Sequence, residues 1–330
     1  MRRRVLWRDA IAIAGTLEVL APLSAGAENW PSRPLTMVVP FAAGGTADPI
    51  GRVLAAGLSQ ALGQQVIVEN VGGAGGTVGT NRVAKAAPDG YQLVFGTSGS
   101  FIQSQALYKH PLYNTLTDLA PVALVAQQPV VLVARKDFPA DNLREFIPYA
   151  KANQTKMQFG SPGAGSGNHF ACIFLNATIG LNATHVPYRG GGPAMQDLIA
   201  GRIDYQCPND VLAGPLVASR NIKGIAVLSR QRSTALPGLA TAHEQGLTEF
   251  DVSTWFALAL PRAAPAAIVR KLNEATVAVL NNAAVQEQME KIGAALVAPD
   301  RRSPDYLAKF FESEMVRWTT IIRANGLRLD

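Results

Sequence analysis

The sequence predicts an α/β fold of two domains, and three observations point to it. Short β-branched runs alternate with amphipathic segments from Leu35 onward. The alternation begins again at Val130, and the segments beyond Phe250 have apolar faces but no nearby sheet of their own. We therefore expect the C-terminal segments to return to the first sheet, an arrangement suited to hinge closure over a central cleft. The expected ranges are residues 28–128 with 251–330 for domain 1 and residues 129–250 for domain 2.

Length and composition agree with a globular chain of this size. The 330 residues are 48% hydrophobic and 16% charged, enough for about two domains of ~150 residues. The net charge is +6, but the first 27 residues hold four arginines against two acids, so their removal leaves +4. No basic stripe or aromatic-basic motif accompanies this excess, and we expect no nucleic-acid partner.

The N-terminus has the pattern of a secretory signal peptide over residues 1–27. Arg2–Arg4 precede the apolar run Ala10–Leu23, and Ala25-Gly26-Ala27 supplies the small residues of a cleavage site. A retained membrane anchor needs about 20 apolar residues, and Glu18 interrupts this run. Export to an oxidising compartment would allow Cys172 and Cys207 to pair; the alternative is two small buried apolar residues.

Five elements are predicted in the first part of domain 1, and the helix Pro49–Leu62 has signals for both its start and its end. Asp48 can cap that helix, Pro49 suits its first position and Gly63 ends it. The last strand runs into the polar segment Thr97–Ser100, at the sheet edge where open α/β folds bind ligands. The five elements are strand Leu35–Pro40, helix Pro49–Leu62, strand Val66–Glu69, helix Thr77–Ala86 and strand Tyr91–Gly96.

The second α/β unit and the C-terminal segments follow the same periodicities. Domain 2 is predicted to contain strand Val130–Arg135, helix Leu143–Ala152, strand Gln158–Ser161, helix Asn168–Ile179, strand Ala183–Pro187, helix Pro193–Ala200, strand Ile203–Cys207 and strand Lys223–Leu228. Beyond it we predict strand Val252–Leu260 and helices Pro265–Asn282, Ala284–Ile292 and Pro304–Ala324.

Three glycine-rich loops each join a predicted strand to a predicted helix. They are Phe41–Thr46, Gly72–Thr77 and Gly160–Asn168. Glycines let the backbone approach a ligand, and the free N–H groups and dipole at a helix start attract anions such as carboxylates. A single loop of this kind is more often only a tight turn, but three at one sheet edge favour an anion site built from main chain.

Catalytic and metal-binding patterns fit the sequence poorly. No Lys followed by Ser or Thr completes a phosphate-binding loop after Gly76, and Val78 occupies the third glycine position of a dinucleotide fingerprint. There is no G-x-S-x-G motif, and the four histidines are scattered. A zinc site from His169, His185 and the two cysteines lacks the usual paired close spacings. We therefore expect no cofactor, no metal and no enzymatic activity.

Several ordered blocks resemble one known family, the tripartite tricarboxylate transporter substrate-binding proteins, also called the TctC or Bug family. The resemblance runs over nearly all of the chain after the signal peptide. Its blocks are Trp30-Pro31-Ser32-Arg33-Pro34, Val38–Asp48, Gly73–Gly79, Pro88-Asp89-Gly90-Tyr91, His185–Ala194 and Asp197–Asp204.

This resemblance implies a two-domain periplasmic binding protein of type II, with the Venus-flytrap fold. Such a monomeric receptor captures a small organic carboxylate in the periplasm and presents it to the permease subunits of a tripartite transporter. Asp48 would meet a ligand amine or an ordered water, or serve only as a helix cap, and Arg189 would rank below the main-chain donors. The implied ligand-binding residues are Phe41, Ala43, Gly44, Gly45, Thr46, Asp48, Gly75, Thr77, Thr97, Ser98, Ser161, Ser166, Asn168, Tyr188, Arg189 and Asn209.

Cys172 and Cys207 depart from the family pattern, in which a small residue and an aromatic residue are common at these positions. If they pair, they join the helix after Ser166 to the strand end beside Asn209 and stiffen that half of the site. Two other functions stay open: an orphan receptor that signals to a sensor partner, and an enzyme, either a dinucleotide-dependent oxidoreductase or a hydrolase. The ligand also stays open among dicarboxylates, amino acids, nicotinate-like acids and aromatic acids.

Overall fold

The computed structural model describes residues 30–328, so the predicted signal peptide at residues 1–27 lies outside the described residues. The strands are β1 (Leu35–Val39), β2 (Val66–Asn70), β3 (Gln92–Thr97), β4 (Leu119–Pro129), β5 (Val131–Arg135), β6 (Gln158–Ser161), β7 (Thr184–Pro187), β8 (Tyr205–Gln206), β9 (Ile222–Val227), β10 (Ser253–Pro261) and β11 (Ala295–Leu296). The helices are α1 (Ala47–Leu62), α2 (Thr77–Ala84), α3 (Ser104–Leu107), α4 (Thr115–Asp118), α5 (Leu143–Ala152), α6 (Gly167–Ile179), α7 (Gly191–Ile199), α8 (Asp210–Ala218), α9 (Ala266–Asn281), α10 (Ala283–Lys291) and α11 (Pro304–Ala324).

The strands form two separate sheets. The first has the order β11-β4-β10-β3-β1-β2, with β1 parallel to β2 and β3, and β10 antiparallel to β3 and β4. The second has the order β7-β6-β8-β5-β9, with β6 parallel to β7 and β8 and β5 antiparallel to β8 and β9. Strand β10, from the C-terminal part of the chain, thus lies inside the first sheet.

The chain passes between the sheets twice, and the two passages lie side by side. The first is the step from β4 to β5, and the second is the segment between β9 and β10. The Leu228 N–H donates to Val130 O at 2.7 Å, and the Val252 N–H donates to Leu228 O at 2.9 Å. These main-chain hydrogen bonds join the two passages to each other.

The helices pack on the sheets through two main groups of buried apolar residues. Helices α1 and α9 pack on the first sheet through Ile50, Leu54, Leu272 and Val279. A second core spans both halves, because α11 packs its Trp318 edge-on against Phe170 of α6 with ring centroids 4.8 Å apart. Within residues 30–328, every helix is too short or too polar to cross a bilayer.

Helix α1 begins earlier than its sequence predicts. It starts at Ala47, with Thr46 as the N-terminal capping position, and it ends at Gly63 in the left-handed conformation with φ of 67°. Asp48 is therefore not the capping residue and Pro49 is not the first helical residue. The reason is that the Asp48 carboxylate bonds to the preceding loop rather than to the helix end.

Candidate functional site

A cavity lies between the two sheets, at the strand ends from which the glycine-rich loops emerge. Its enclosed space is small, about 40 Å³. It is lined by Phe41, Gly45, Thr46, Ala47, Thr97, Gly160, Pro162, Ser166, Gly167, Asn168, Gly191, Gln206, Cys207, Pro208, Asn209, Leu212, Thr254 and Phe256. These lining residues include no acidic, basic, histidine or tyrosine side chain. The one cysteine among them, Cys207, is in a disulfide and carries no free thiol.

Three helices begin at this cavity. Their first residues, Ala47 of α1, Gly167 of α6 and Gly191 of α7, all line it. The first N–H groups of a helix have no acceptor within the helix, and the helix dipole places partial positive charge at the same end. The cavity is therefore electropositive without any lysine or arginine, and it is suited to a carboxylate.

The loops on its two sides are in contact, so the cleft is closed in this structure. The Tyr108 hydroxyl donates to Ala164 O at 3.1 Å. Gly99 approaches Gly167 so closely that a Cβ atom on Gly99 would overlap the Gly167 nitrogen. In the same way, Gly75 leaves no room for a side chain beside Ala164. Closure thus depends on glycine at these contacts.

Asp48 braces the Phe41–Thr46 loop from behind. Its carboxylate accepts hydrogen bonds from the Gly44 N–H at 3.1 Å and Asn70 Nδ2 at 3.0 Å, and it forms an ion pair with Arg52 at 3.1 Å. Burial raises the pKa of Asp48, but these hydrogen bonds and the Arg52 charge outweigh it and hold the pKa below its usual value. Asp48 lies outside the cavity lining.

The structure brings seven of the expected residues together at the cavity and places the others around it. The seven are Phe41, Gly45, Thr46, Thr97, Ser166, Asn168 and Asn209. Outside the lining, Ala43, Gly44 and Arg189 are exposed. Gly75 packs against Ala164 across the cleft, and the Thr77 hydroxyl donates to Ala74 O within its own loop. The Tyr188 hydroxyl donates to Asp197 Oδ2 at 2.7 Å, which directs it away from the cavity.

Ser161 connects the loop before α6 to a pair of adjacent histidines, of which His169 is buried and His185 is half-buried. Its Oγ lies 2.7 Å from His185 Nε2, and the Gly165 N–H donates to His169 Nδ1 at 3.2 Å. The two imidazole rings are 4.0 Å apart between centroids. Burial lowers the pKa of His169 to about 3, with a further contribution from the charge of His185, and burial lowers the pKa of His185 to about 4. Both rings are therefore neutral and support the loop.

Cys172 and Cys207 form a disulfide with a Cα to Cα distance of 5.6 Å. Cys172 lies in α6 one turn beyond Asn168, and the Asn168 Nδ2 donates to Cys207 O at 2.7 Å and to Asn209 Oδ1 at 3.3 Å. The covalent bond and the two hydrogen bonds fix the start of α6 to the segment that follows β8.

Several buried polar groups lining the cavity or next to its lining residue Gly167 have no hydrogen-bond partner within residues 30–328. They are the Ser98 hydroxyl, both amide atoms of Gln103 and the Asn209 Nδ2. Ser98 and Gln103 face Gly167 from the first half, whereas Asn209 lies in the second. Buried polar groups are normally paired, so unpaired ones at a cavity indicate a ligand or ordered water.

Sequence reasoning missed lining residues that lie on strands, outside the glycine-rich loops. Thr254 and Phe256 project from one face of β10, and Gln206 ends β8. Two-residue alternation along the predicted strand Val252–Leu260 could have placed Thr254 and Phe256 on one face, but not which face. For residues 30–328, no cluster of three or more His, Cys, Asp or Glu side chains is arranged to hold a metal ion.

A family model and several solved structures match this chain over most of its length. The family model described as "Tripartite tricarboxylate transporter family receptor" matches residues 50–327. The structure of the periplasmic binding protein BugD is similar, with a TM-score of 0.87, 36% identity, and coverage of 91% of this chain and 99% of BugD.

Two similar structures from Rhodopseudomonas palustris contain ligands. MatC with bound malate has a TM-score of 0.86 and 37% identity, covering 89% of this chain and 100% of MatC. Rpa4515 with adipate has a TM-score of 0.85 and 31% identity, covering 91% of this chain and 99% of Rpa4515.

Proposed function

The chain belongs to the tripartite tricarboxylate transporter receptor family, and from this premise we propose that it is a periplasmic solute-binding protein. It captures a small organic carboxylate in the closed cleft and delivers it to the membrane subunits of a tripartite transporter. The observation that carries this proposal is the convergence of three helix N-termini, one from the first half and two from the second, on one uncharged cavity.

The proposed binding mechanism uses main-chain donors from both sides of the cleft. A carboxylate placed between α1 of the first half and α6 and α7 of the second accepts N–H groups from both. A ligand that contacts both halves binds the closed form better than the open form, and it therefore shifts the population toward closure. Arg189 is exposed and contributes little to this mechanism.

We propose a dicarboxylate of four to six carbons as the ligand class. The malate and adipate in the two similar structures are both dicarboxylates. Phe41, Leu212 and Phe256 provide apolar lining for a short carbon chain, while Thr46, Asn168 and Asn209 provide polar contacts. The loop braced by Asp48 holds α1 in place behind the ligand.

We also propose that the protein binds its ligand without chemical change. General acid or base catalysis requires an ionisable group within reach of the reacting atoms. The lining residues offer none, since their polar side chains are hydroxyls and amides. This composition supports a receptor over either a dehydrogenase or a hydrolase.

A matched pair of variants at Gly191 tests the proposal. Gly191 is the first residue of α7 and follows Gly190 in extended backbone, with ψ of 171°, so proline fits the backbone there but removes one N–H donor. The added Cβ would lie 3.1 Å from Leu212 Cδ2 in the proline and the alanine variant alike, so this tight contact is common to the pair. Gly191→Ala keeps that donor. We expect malate, succinate or adipate to bind the wild type by isothermal titration calorimetry, and Gly191→Pro to bind at least ten times more weakly than Gly191→Ala.

Two results would contradict the proposal. One is the absence of any carboxylate binding by the mature chain while a dinucleotide raises its thermal midpoint. The other is equal affinity of Gly191→Pro and Gly191→Ala, which would exclude main-chain anion recognition by α7. A ligand at 100 times its Kd adds about 2.7 kcal/mol of stability, which a thermal-shift assay resolves easily.

A further inference from the structure

The cavity of the cleft holds no negative charge of its own. Its polar lining side chains are hydroxyls and amides, and none of its lining residues is an aspartate or a glutamate. The loops of the two halves meet over it, so a bound ligand loses most of its water. A charged group in such a place is stable only when opposite charge or hydrogen bonds replace the lost water. The surroundings of the cavity therefore decide which charged groups a ligand can carry.

A fourth helix adds positive potential at this cavity. Besides α1, α6 and α7, helix α8 begins here, with its capping residue Asn209 and its third residue Leu212 in the lining. The Asn209 side chain accepts no hydrogen bond from the N–H groups of α8. The four helices are 9 to 16 residues long, and each directs the positive end of its dipole toward the same space. The cavity therefore favours anionic groups and disfavours cationic ones.

The two acids nearest to the lining in sequence are both turned to other partners. Asp48 follows the lining residue Ala47, but its carboxylate braces the loop behind α1. Asp210 follows the lining residue Asn209, but its carboxylate accepts from the Ser233 hydroxyl at 2.6 Å, and Asp210 lines a separate concave surface. Neither acid belongs to the cavity lining. A ligand cation in the cavity thus has no counter-charge among the lining residues.

The orientation of the Asn209 amide follows from the chemistry of its neighbours. Asn168 Nδ2 donates to Cys207 O at 2.7 Å, and a main-chain carbonyl can only accept, so this Asn168 atom is a nitrogen. The Asn209 atom 3.3 Å from the same nitrogen is therefore its acceptor oxygen, Oδ1. This leaves the Asn209 Nδ2 on the other side of the amide, where nothing in the described part of the chain accepts from it. Asn209 is 2% exposed and lines the cavity, so its free donor indicates a ligand that supplies an acceptor.

We propose that the cleft selects dicarboxylates without an ammonium group and that Asn209 is a residue that determines this specificity. This specificity depends on the proposed carboxylate function and narrows its ligand class. When both carboxylates of a short ligand are held inside the cavity, a substituent between them is enclosed as well. There an ammonium offers three donors and no acceptor, so it cannot pair with the Asn209 Nδ2, and the helix dipoles oppose its charge. A hydroxyl or a hydrogen atom at the same carbon carries no such penalty.

L-Malate and L-aspartate test this specificity in the wild type. The two ligands have the same carbon skeleton and the same two carboxylates, and they differ only in a hydroxyl against an ammonium at the second carbon. Succinate, which has a hydrogen atom there, is the third ligand. We expect titration calorimetry of the mature chain at pH 7.5 to show L-malate and succinate binding at least ten times more tightly than L-aspartate.

Asn209→Asp is the matching variant, because it exchanges the free donor for an acceptor at almost unchanged size. One carboxylate oxygen can still accept from Asn168 Nδ2, and the other takes the place of Nδ2 with negative charge. We expect L-malate to bind at least ten times more weakly than in the wild type, and the ratio of L-malate to L-aspartate affinity to fall at least tenfold. Asn182→Asp is the control, because Asn182 is exposed, lies in the same half and lies outside the cavity lining. It should leave both affinities unchanged.

The possible results distinguish a failure of the specificity from a failure of the proposed function. L-Aspartate binding to the wild type as tightly as L-malate would overturn the specificity while leaving a carboxylate receptor. An unchanged affinity ratio in an Asn209→Asp variant that is folded by circular dichroism would overturn the role of Asn209. Binding of none of the three acids would overturn the proposed function and the specificity with it. The wild-type comparison needs no substitution, so it decides even if Asn209→Asp fails to fold.

Discussion

Asp48 illustrates how one side chain shapes a site that it does not line. Two carboxylate oxygens hold the Gly44 N–H and the Asn70 amide, and Asn70 also donates to Phe41 O at 3.1 Å. From sequence, an acid before a proline predicts a helix cap. In the structure the Asp48 carboxylate instead accepts a hydrogen bond from Asn70, which is 22 residues away in the sequence. No local sequence pattern identifies such a distant partner.

We predict that Asp48→Ala weakens carboxylate binding about tenfold, because the Phe41–Thr46 loop loses the hydrogen bond to its Gly44 N–H, and Asn70, which holds Phe41 O, loses its own link to Asp48. Asp48→Asn keeps one acceptor oxygen and should show an intermediate affinity. Titration calorimetry of the three proteins measures this order. A folded Asp48→Ala variant with wild-type affinity would show that the loop keeps its shape without this brace.

A second prediction concerns the stability that the Cys172–Cys207 disulfide contributes. It closes a sequence separation of 35, for which the chain-entropy model gives a stabilisation of about 3–4 kcal/mol. We expect Cys172→Ala with Cys207→Ala to lose stability of that order in urea unfolding. The same variant should bind carboxylate more weakly, because Asn168 and Asn209 lose part of their support.

Thiol counting provides the control for this prediction. The unfolded, non-reduced wild type should show no reactive thiol, and two should appear after reduction. Two thiols before reduction would contradict the disulfide. The sequence alone could only leave the pairing open, since it does not give the distance between the two Cα atoms.

At the scale of the element, sequence periodicity located most of the α/β framework. The predicted bounds of α5, β6 and α11 coincide with those of the structure. Strand β4 and helix α8 were missed because Pro121 lies inside the strand and Pro215 inside the helix. Proline argues locally against both elements, but the tertiary context accommodates it.

The glycine-rich loops were correctly located by sequence, but their individual contacts were not. Gly45, Thr46, Ser166 and Asn168 were expected at the site and line the cavity. Tyr188 was also expected there, yet its hydroxyl is bound to Asp197. A strand-to-helix loop predicts the start of a helix, whereas side-chain direction depends on packing that the pattern does not contain.

The two histidines that support the loop before α6 lead to a prediction of how the stability of the fold depends on pH. The His169 pKa of about 3 and the His185 pKa of about 4 keep both rings neutral in the folded protein, whereas in the unfolded chain they gain protons below about pH 6.5. Unfolding therefore takes up protons between pH 6.5 and about 4, and stability falls as the pH decreases through this range.

The expected loss is about 1 kcal/mol per pH unit for each histidine within that range. Urea unfolding at pH 7.5, 5.5 and 4.5 measures it. His185→Gln preserves a hydrogen bond to Ser161 and removes one titrating group, so its stability should depend less steeply on pH. An equal slope in both proteins would show that other groups dominate the acid response.

At the scale of the whole molecule, the two halves meet at glycine contacts across the cleft and are joined by main-chain hydrogen bonds where the chain passes between the sheets. Leu228 joins both passages between the sheets, and α11 packs across onto α6 through Trp318 and Phe170. The second contact begins only two residues beyond the Gly160–Asn168 loop, so the two halves are packed against each other close to the cleft as well as joined at the passages. In the proposed function, ligand binding and closure are linked at the cleft.

Gly99→Ala tests this link. A Cβ on Gly99 would overlap the Gly167 nitrogen across the closed cleft, but Gly99 has no positive φ that would oppose alanine within its own half. We expect unchanged secondary structure and at least tenfold weaker carboxylate binding, since the closed form becomes sterically unfavourable. Small-angle X-ray scattering should show a larger radius of gyration with saturating ligand than in the wild type.

Gly238→Ala is the matched control, because no heavy atom lies within 4 Å of its added Cβ. It should bind as the wild type does. Wild-type affinity and ligand-induced compaction in Gly99→Ala would mean that ligand is held without full approach of the loops. In that case the three helix N-termini could not act together on one carboxylate, and recognition would have to come from one half alone.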